Sequence, residues 1–226
     1  MSIFLDTGKY DEIKKFLSYG VIDGVTTNPS ILVSEGLKPG IKNLEIQSKK
    51  VAKLLKKLPL SIEVTSNNYK EMLNQSIKFS NWSKNINVKI TIHGPNGELE
   101  NLKLIHELEN KKNVRVNVTA MMSAQQCFLA AKAGATFVSI FGGRVNNMGY
   151  DSNKEISILR NLLDKFNLNS KIIVGSTREI INITQWLNSG AHIVTCHPKF
   201  LEGMLVHPYT KETVQMFLKD GNKIIK

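Results

Sequence analysis

Leu60-Ser61-Ile62-Glu63-Val64-Thr65 alternates strictly, with Leu60, Ile62 and Val64 on one face of an extended segment and Ser61, Glu63 and Thr65 on the other. Asn87-Val88-Lys89-Ile90-Thr91-Ile92 repeats the pattern, setting Asn87, Lys89 and Thr91 together, and Val116-Asn117-Val118-Thr119 does the same with Asn117 and Thr119. Successive side chains of a strand point to opposite faces, so each stretch reads as a strand with one polar face. Such alternation ordinarily marks an antiparallel sheet half in water. Here, however, each strand is followed by a helix-like stretch whose apolar stripe needs an apolar strand face to cover. The polar faces must point away from the helices without reaching bulk solvent. The lumen of a closed barrel meets both conditions.

Working outward, short β-rich runs appear near residues 2–6, 22–28, 59–65, 86–92, 113–119, 136–141, 171–176 and 192–197. Helix-like stretches fall between and after them, near 9–19, 30–57, 68–83, 96–110, 123–133, 153–167, 178–189 and 199–219. Asn68 with Glu71, Ser123 with Gln126 and Ser152 with Glu155 have the spacing of N-terminal caps. Gly134 and Gly190 stand where a helix ends on a left-handed residue. No linker, repeat or low-complexity segment interrupts the series. An open doubly wound sheet would also alternate, but the polar lumen faces favour an α/β fold of the (β/α)8 type, a single domain over residues 1–226. The stretch 210–219 reads as a terminal helix available to a neighbouring subunit.

Composition fits this reading. Hydrophobic residues make up 42% and charged residues 22% of 226 positions, ordinary for a globular protein of one large core. No apolar run approaches the roughly 20 residues of a membrane span, and the first residues lack the pattern of a secretory signal. A cytoplasmic enzyme with no membrane partner is expected. The net charge of +11 attracts anions in general. The basic side chains are dispersed, and Lys49, Lys50, Lys53, Lys56 and Lys57 share one helix-like stretch that reads as a solvated face. Aromatic residues are not interleaved with them, so no stacking platform for nucleic acid is expected. Cys127 and Cys196 read as core residues, and the five histidines show no metal spacing. His106 is expected to be exposed, and His197 to be a structural histidine at the end of the eighth strand.

Lumen parity near the C-terminal strand ends gathers Asp6, Thr26, Asn28, Glu63, Lys89, Asn117, Thr119, Ser139 and Ser176, with Phe141 as an apolar wall. Active sites of such barrels form at that end. So many convergent polar groups would be costly to bury without purpose.

These residues also carry a resemblance. Leu5-Asp6-Thr7, Gly24-Val25-Thr26-Thr27-Asn28-Pro29-Ser30, Val88-Lys89-Ile90, Asn117-Val118-Thr119 and Gly142-Gly143-Arg144 follow in order. Together they resemble the transaldolase family, in particular its short members, which include the fructose-6-phosphate aldolases. The Thr26–Ser30 run is the most specific element. The resemblance implies a (β/α)8 barrel, no metal and no organic cofactor, with a Schiff-base lysine at Lys89 on the fourth strand. It implies Asp6 as the acid/base at the C4 hydroxyl, and Glu63 with Thr119 as holders of a proton-shuttling water. Asn28 and Asn117, with Thr26 and Ser139 nearby, would bind the dihydroxyacetone hydroxyls. Arg144 and Arg178, with Ser176, would bind the terminal anion. Short members are usually rings of five or ten subunits, so a homo-oligomer is implied.

The chemistry suits these residue types. Breaking a ketose between C3 and C4 leaves a carbanion, and an iminium at C2 accepts that charge as an enamine. The attacking amine must be neutral, although free lysine titrates near pH ~10.4. A lysine in the lumen, with Val88 and Ile90 on the opposite face, is partly stripped of water, which favours the neutral form. An ionised Glu63 in contact would oppose this, so Glu63 is expected to act through a water. A structural ion pair to Glu63 or Asp6 is the alternative for Lys89, and an N-cap role is the alternative for Asp6. A guanidinium fork matches phosphate or sulfonate oxygens.

Two positions bear on the branch. Aldolase members that release free dihydroxyacetone resemble a pattern with glutamine where Glu63 stands and tyrosine where Phe141 stands. Glu63 and Phe141, with Asn117 and Ser139, resemble the transaldolase choice, which implies transfer of a dihydroxyacetone unit to an aldehyde acceptor. Thr177 departs from the aromatic residue common between Ser176 and Arg178, and His197 is unusually polar. Both put the terminal anion in question, and the expected donor is fructose 6-phosphate or 6-deoxy-6-sulfofructose. A non-catalytic sugar-phosphate-binding barrel is the competing reading, against which the set Asp6, Glu63, Lys89 and Thr119 stands.

Overall fold

The computed structural model describes residues 1–225. The chain opens with β1 (Ser2–Asp6), α1 (Tyr10–Ser18), β2 (Gly24–Thr26), α2 (Pro29–Ser34), α3 (Ile41–Leu55) and β3 (Leu60–Glu63). It continues through α4 (Tyr69–Ser80), β4 (Ile86–Thr91), α5 (Glu100–Lys111), β5 (Val116–Met121), α6 (Ala124–Lys132) and β6 (Phe137–Ile140). It ends with α7 (Gly142–Asn147), α8 (Ser152–Lys165), β7 (Lys171–Val174), α9 (Ile180–Asn188), β8 (Ile193–Cys196), α10 (Pro198–Leu205) and α11 (Pro208–Ile225). Every neighbouring strand pair is parallel, and β8 returns to β1 through Ser2↔Ile193 to Leu5↔Cys196. The sheet is a closed (β/α)8 barrel. Among the described residues no helix is long and apolar enough to cross a membrane.

The periodicities account for the two layers. On α3, Leu44, Ser48, Val51, Ala52 and Leu55 recur at helical spacing and are buried. On α5, Leu104, Ile105 and Leu108 do the same. These faces meet the outward strand residues Leu60, Ile62, Val88, Ile90, Val116 and Val118 in one large core. A second, smaller cluster fills the lumen floor: Phe4, Phe137, Ile173 and Ile193. A Cβ at Gly24 would stand 2.7 Å from the Phe4 ring, so the glycine is what lets that ring cross the floor. The opposite side of the floor is polar, with Ser61, Asn87 and Asn117 wholly buried.

Several boundaries differ from the sequence reading, each for a local reason. The stretch 30–57 is two helices, parted where Gly36 and Gly40 take φ of 87° and 112° on either side of Pro39. The stretch 199–219 is also two, because Pro208 disfavours helical backbone at the residue before it. The terminal helix α11 therefore runs Pro208–Ile225 rather than 210–219, and none of its residues is buried. The cap of α8 is Asp151, which accepts from the Asn153 and Lys154 amides. Ser152 is buried instead and accepts from Trp186 Nε1 at 2.8 Å. The caps Asn68 and Ser123 are where the sequence puts them, and Gly134 and Gly190 take left-handed φ of 104° and 109°. Cys127 and Cys196 are buried; burial pushes both thiols up, that of Cys196 to about 12.

Candidate active site

Strand pairing places the polar column in rows. Glu63 stands beside Lys89, and Lys89 beside Asn117, across β3, β4 and β5. Neighbouring strands lie about 4.8 Å apart, so Glu63 and Lys89 meet directly: Oε2 is 3.1 Å from Nζ. The sequence reading expects Glu63 to act through a water, whereas the structure sets its carboxylate in direct contact with Nζ. Lys89 Nζ also donates to the Thr27 carbonyl at 2.8 Å. Lys89 is thus held by one hydrogen bond and one ion pair. Lys89 is 4% exposed.

Above it opens a pocket of about 460 Å³, within the roughly 300–1,000 Å³ usual for small-molecule sites. Of the residues expected from sequence, Asp6, Thr26, Asn28, Glu63, Lys89, Thr119, Ser139, Phe141, Arg144 and Ser176 line it. Two do not. Asn117 lies beneath the pocket, where its amide donates to Ser61 Oγ at 3.0 Å and its carbonyl accepts from Ser139 Oγ at 2.6 Å. It acts on the pocket by holding Ser139. Arg178 lies exposed beyond β7, its stem beside Gly143.

Each wall has a local cause. The Asn28 carbonyl oxygen caps α2 by accepting from the Ile31 amide at 2.9 Å, which fixes its carboxamide at the rim. Thr119 Oγ1 is buried and has no protein partner, so it is free for a substrate or water. Ala120 and Ser176 take φ of 61° and 62°, left-handed backbone that is uncommon outside glycine. At Ala120 this accompanies the register shift between β5 and β6. Phe141 follows β6 and is the N-cap residue of α7, and the Arg144 guanidinium carbon sits 5.3 Å from its ring centroid. Among the described residues Arg144 makes no ion pair.

Asp6 accepts from Thr26 Oγ1 at 2.8 Å. Burial pushes its carboxyl above the ordinary carboxylate range, opposed by the Lys89 charge and the Thr26 hydrogen bond. It does not cap α1; Lys9 occupies that position. His197 caps α10, its Nδ1 accepting from the Lys199 amide at 3.3 Å, which is the structural role expected. His106 is exposed.

The sequence reading misses Thr195, which lines the pocket from β8 with its hydroxyl 2.6 Å from that of Thr26. Lumen parity with Ile193 is the only signal for it. The Thr27 carbonyl that holds Lys89 leaves no trace in side-chain patterns at all.

Comparison with known proteins bears on this arrangement. The family model described as transaldolase/fructose-6-phosphate aldolase matches residues 3–226. A "Probable transaldolase" of Carboxydothermus hydrogenoformans is 37% identical over 220 residues, covering 97% of each chain. A "Probable transaldolase" of Thermodesulfovibrio yellowstonii is 35% identical over 232 residues, covering all of both. The solved thiamine phosphate pyrophosphorylase of Pyrococcus furiosus shares the barrel fold, with a TM-score of 0.58 at 9% identity over 86% of this chain and 84% of that one.

Proposed function

The chain belongs to the transaldolase/fructose-6-phosphate aldolase family, and from that premise we propose a class I transaldolase in which Lys89 forms a Schiff base with a ketose donor. The observation that carries the reading is the seating of Lys89: buried in the lumen, held by Glu63 and the Thr27 carbonyl, and lining the pocket.

Glu63 takes a proton from Lys89, the neutral Nζ attacks the donor's C2 carbonyl, and the carbinolamine so formed loses water to give an iminium. Glu63 and the unpartnered Thr119 hydroxyl hold and relay the protons of that water; the direct Glu63–Lys89 contact opens as the amine is consumed. Asp6 takes the C4 hydroxyl proton. The C3–C4 bond then breaks, its electron pair passes into the iminium to form an enamine, and the aldehyde leaves. Attack of the enamine on an acceptor aldehyde reverses these steps, and water returns Lys89. Thr26, Asn28 and Ser139, the last held by Asn117, take the dihydroxyacetone hydroxyls. Arg144 takes the terminal phosphate or sulfonate with Ser176, and Arg178 supplements the field from outside the pocket. The chain works as a homo-oligomer, in which the apolar side of α11 is covered by a second copy.

Borohydride trapping with fructose 6-phosphate and with 6-deoxy-6-sulfofructose tests the reading. An adduct on Lys89, found by peptide mass analysis and absent from Lys89→Ala, is the expected result. No adduct with either ketose sinks the mechanism. The better-trapped donor names the anion, and release of free dihydroxyacetone without acceptor identifies the aldolase branch instead.

A further inference from the structure

The lumen holds a hydroxyl chain whose outer member, Thr195, the mechanism above does not use. Thr195 is 6% exposed on the inner face of β8, and its Oγ1 lies 2.6 Å from Thr26 Oγ1. Thr26 Oγ1 in turn donates to Asp6 Oδ1 at 2.8 Å. β1 lies between β2 and β8, pairing with both. The two threonines thus meet across the strand that bears Asp6.

A hydroxyl has one proton and two acceptor lone pairs. When Asp6 is ionised, the Thr26 proton is committed to it. Thr195 must then donate to Thr26, since two oxygens so close with no proton between them would repel. All the protons point toward the carboxylate. When Asp6 is protonated it becomes the donor, and the chain reverses. Hydrogen bonds in series polarise one another, so the outer hydroxyl strengthens the inner one as a donor to the anion. Thr195 is itself held from behind: its carbonyl accepts from Thr177 Oγ1 at 3.1 Å.

We propose that Thr195 is a positioning residue for the acid/base step: acting through Thr26, it favours the ionised form of Asp6 that accepts the C4 hydroxyl proton. The proposal rests on the transaldolase reading of the site. Other charged groups act on Asp6: Lys89 on β4, Glu35 just after α2 and His197 just before α10, while Asp6 in turn acts on the buried thiol of Cys196 on β8. Lys89 and His197 favour the anion, whereas Glu35 disfavours it. Burial works against all the favourable contacts. A donor chain from β8 is thus a lever on when this carboxyl becomes a base.

The test is the pH profile of kcat for Thr195→Val, which keeps the shape and removes the hydroxyl. Its acid limb is expected to move to higher pH by about half a unit, a roughly threefold rate loss below the midpoint. Thr195→Ser should restore the wild-type profile. Borohydride adducts on Lys89 should form as in the wild type, because imine formation does not pass through Asp6. In an Asp6→Asn background, Thr195→Val should change the residual rate no further. An acid limb that stays in place overturns the proposal. So does equal damage from Thr195→Ser, or a rate loss from Thr195→Val in the Asp6→Asn background as large as in the wild type, since either indicates packing alone. Should Thr195→Val fail to fold, Thr195→Ala carries the same comparison. Loss of the Lys89 adduct in the wild type itself would refute the family mechanism rather than this chain.

Discussion

Gly143→Ala should damage both stability and anion recognition, and the structure sets the size of each effect. A Cβ at this position would stand 2.9 Å from the Ser176 carbonyl carbon and from Arg178 Cγ, and closer still to the Ser176 carbonyl oxygen. Ordinary contacts lie near 3.5–4.0 Å, and the carbonyl oxygen is the nearest obstacle, so α7 must retreat from the Ser176 backbone by well over ~1 Å. The Arg178 stem can swing aside. The Ser176 backbone cannot yield cheaply, because it already holds φ of 62° in a sparsely tolerated region. Overpacking costs about 1–3 kcal/mol, and a backbone obstacle places this case toward the upper end. For a chain of this length Tm falls about 2–4 °C per kcal/mol, so a thermal melt should drop by roughly 5–10 °C. Arg144 follows Gly143 directly on α7, so the same retreat would move the guanidinium away from the terminal anion proposed to bind there. Losing about 1.4 kcal/mol of a charge-assisted contact raises KM about tenfold. Steady-state kinetics should show that rise for a donor with a terminal phosphate or sulfonate and leave kcat/KM for neutral fructose nearly unchanged. A melt within a degree of wild type would refute the steric argument. An equal loss on the neutral donor would refute the role given to Arg144.

Two further outcomes follow from single contacts. His192 Nδ1 accepts from the Ile172 amide at 3.0 Å, and burial, with the charges of Arg160 and Lys171, pushes its pKa down to about 4. Unfolded histidine titrates near 6.5, so the contribution is complete above about pH 6.5 and is lost as pH falls from there toward about 4. Melts of His192→Asn, whose side-chain oxygen keeps an acceptor but does not titrate, should show a flatter decline across that window; an identical slope removes the argument. On α11, Val214, Phe217 and Leu218 share one side at 48%, 64% and 65% exposure. Phe217→Lys with Leu218→Lys should lower the sedimenting mass of the protein while its helical signal persists, and an unchanged mass excludes this helix from the assembly.

The alternation on β3, β4 and β5 reveals the barrel and half of the pocket because each of these strands places at least two polar residues inward. Ser61 lies below Glu63, Asn87 below Lys89, and Asn117 below Thr119, each pair two residues apart on one strand. A single inward polar residue does not make a pattern. On β1, β6 and β8 the floor residue is apolar: Phe4 below Asp6, Phe137 below Ser139, Ile193 below Thr195. Those strands read as ordinary covered strands. Asp6 and Ser139 are legible by position and resemblance, and Thr195 only by its lumen parity with Ile193.

What parity omits is register, and register decides the chemistry at the centre. Knowing that Glu63 and Lys89 both face inward leaves their separation anywhere between contact and a water's width. Pairing them directly across β3 and β4 turns a lysine suited by type to Schiff-base chemistry into one already engaged by a carboxylate. The same holds at the rim, where Arg144 owes its place to two glycines, one packed on Trp186 and the other on the Ser176 carbonyl, contacts no periodicity encodes. Residue type and parity can nominate members of such a site. Only the pairing of strands and the close approach of backbones determine which members touch, and so which of them share a proton.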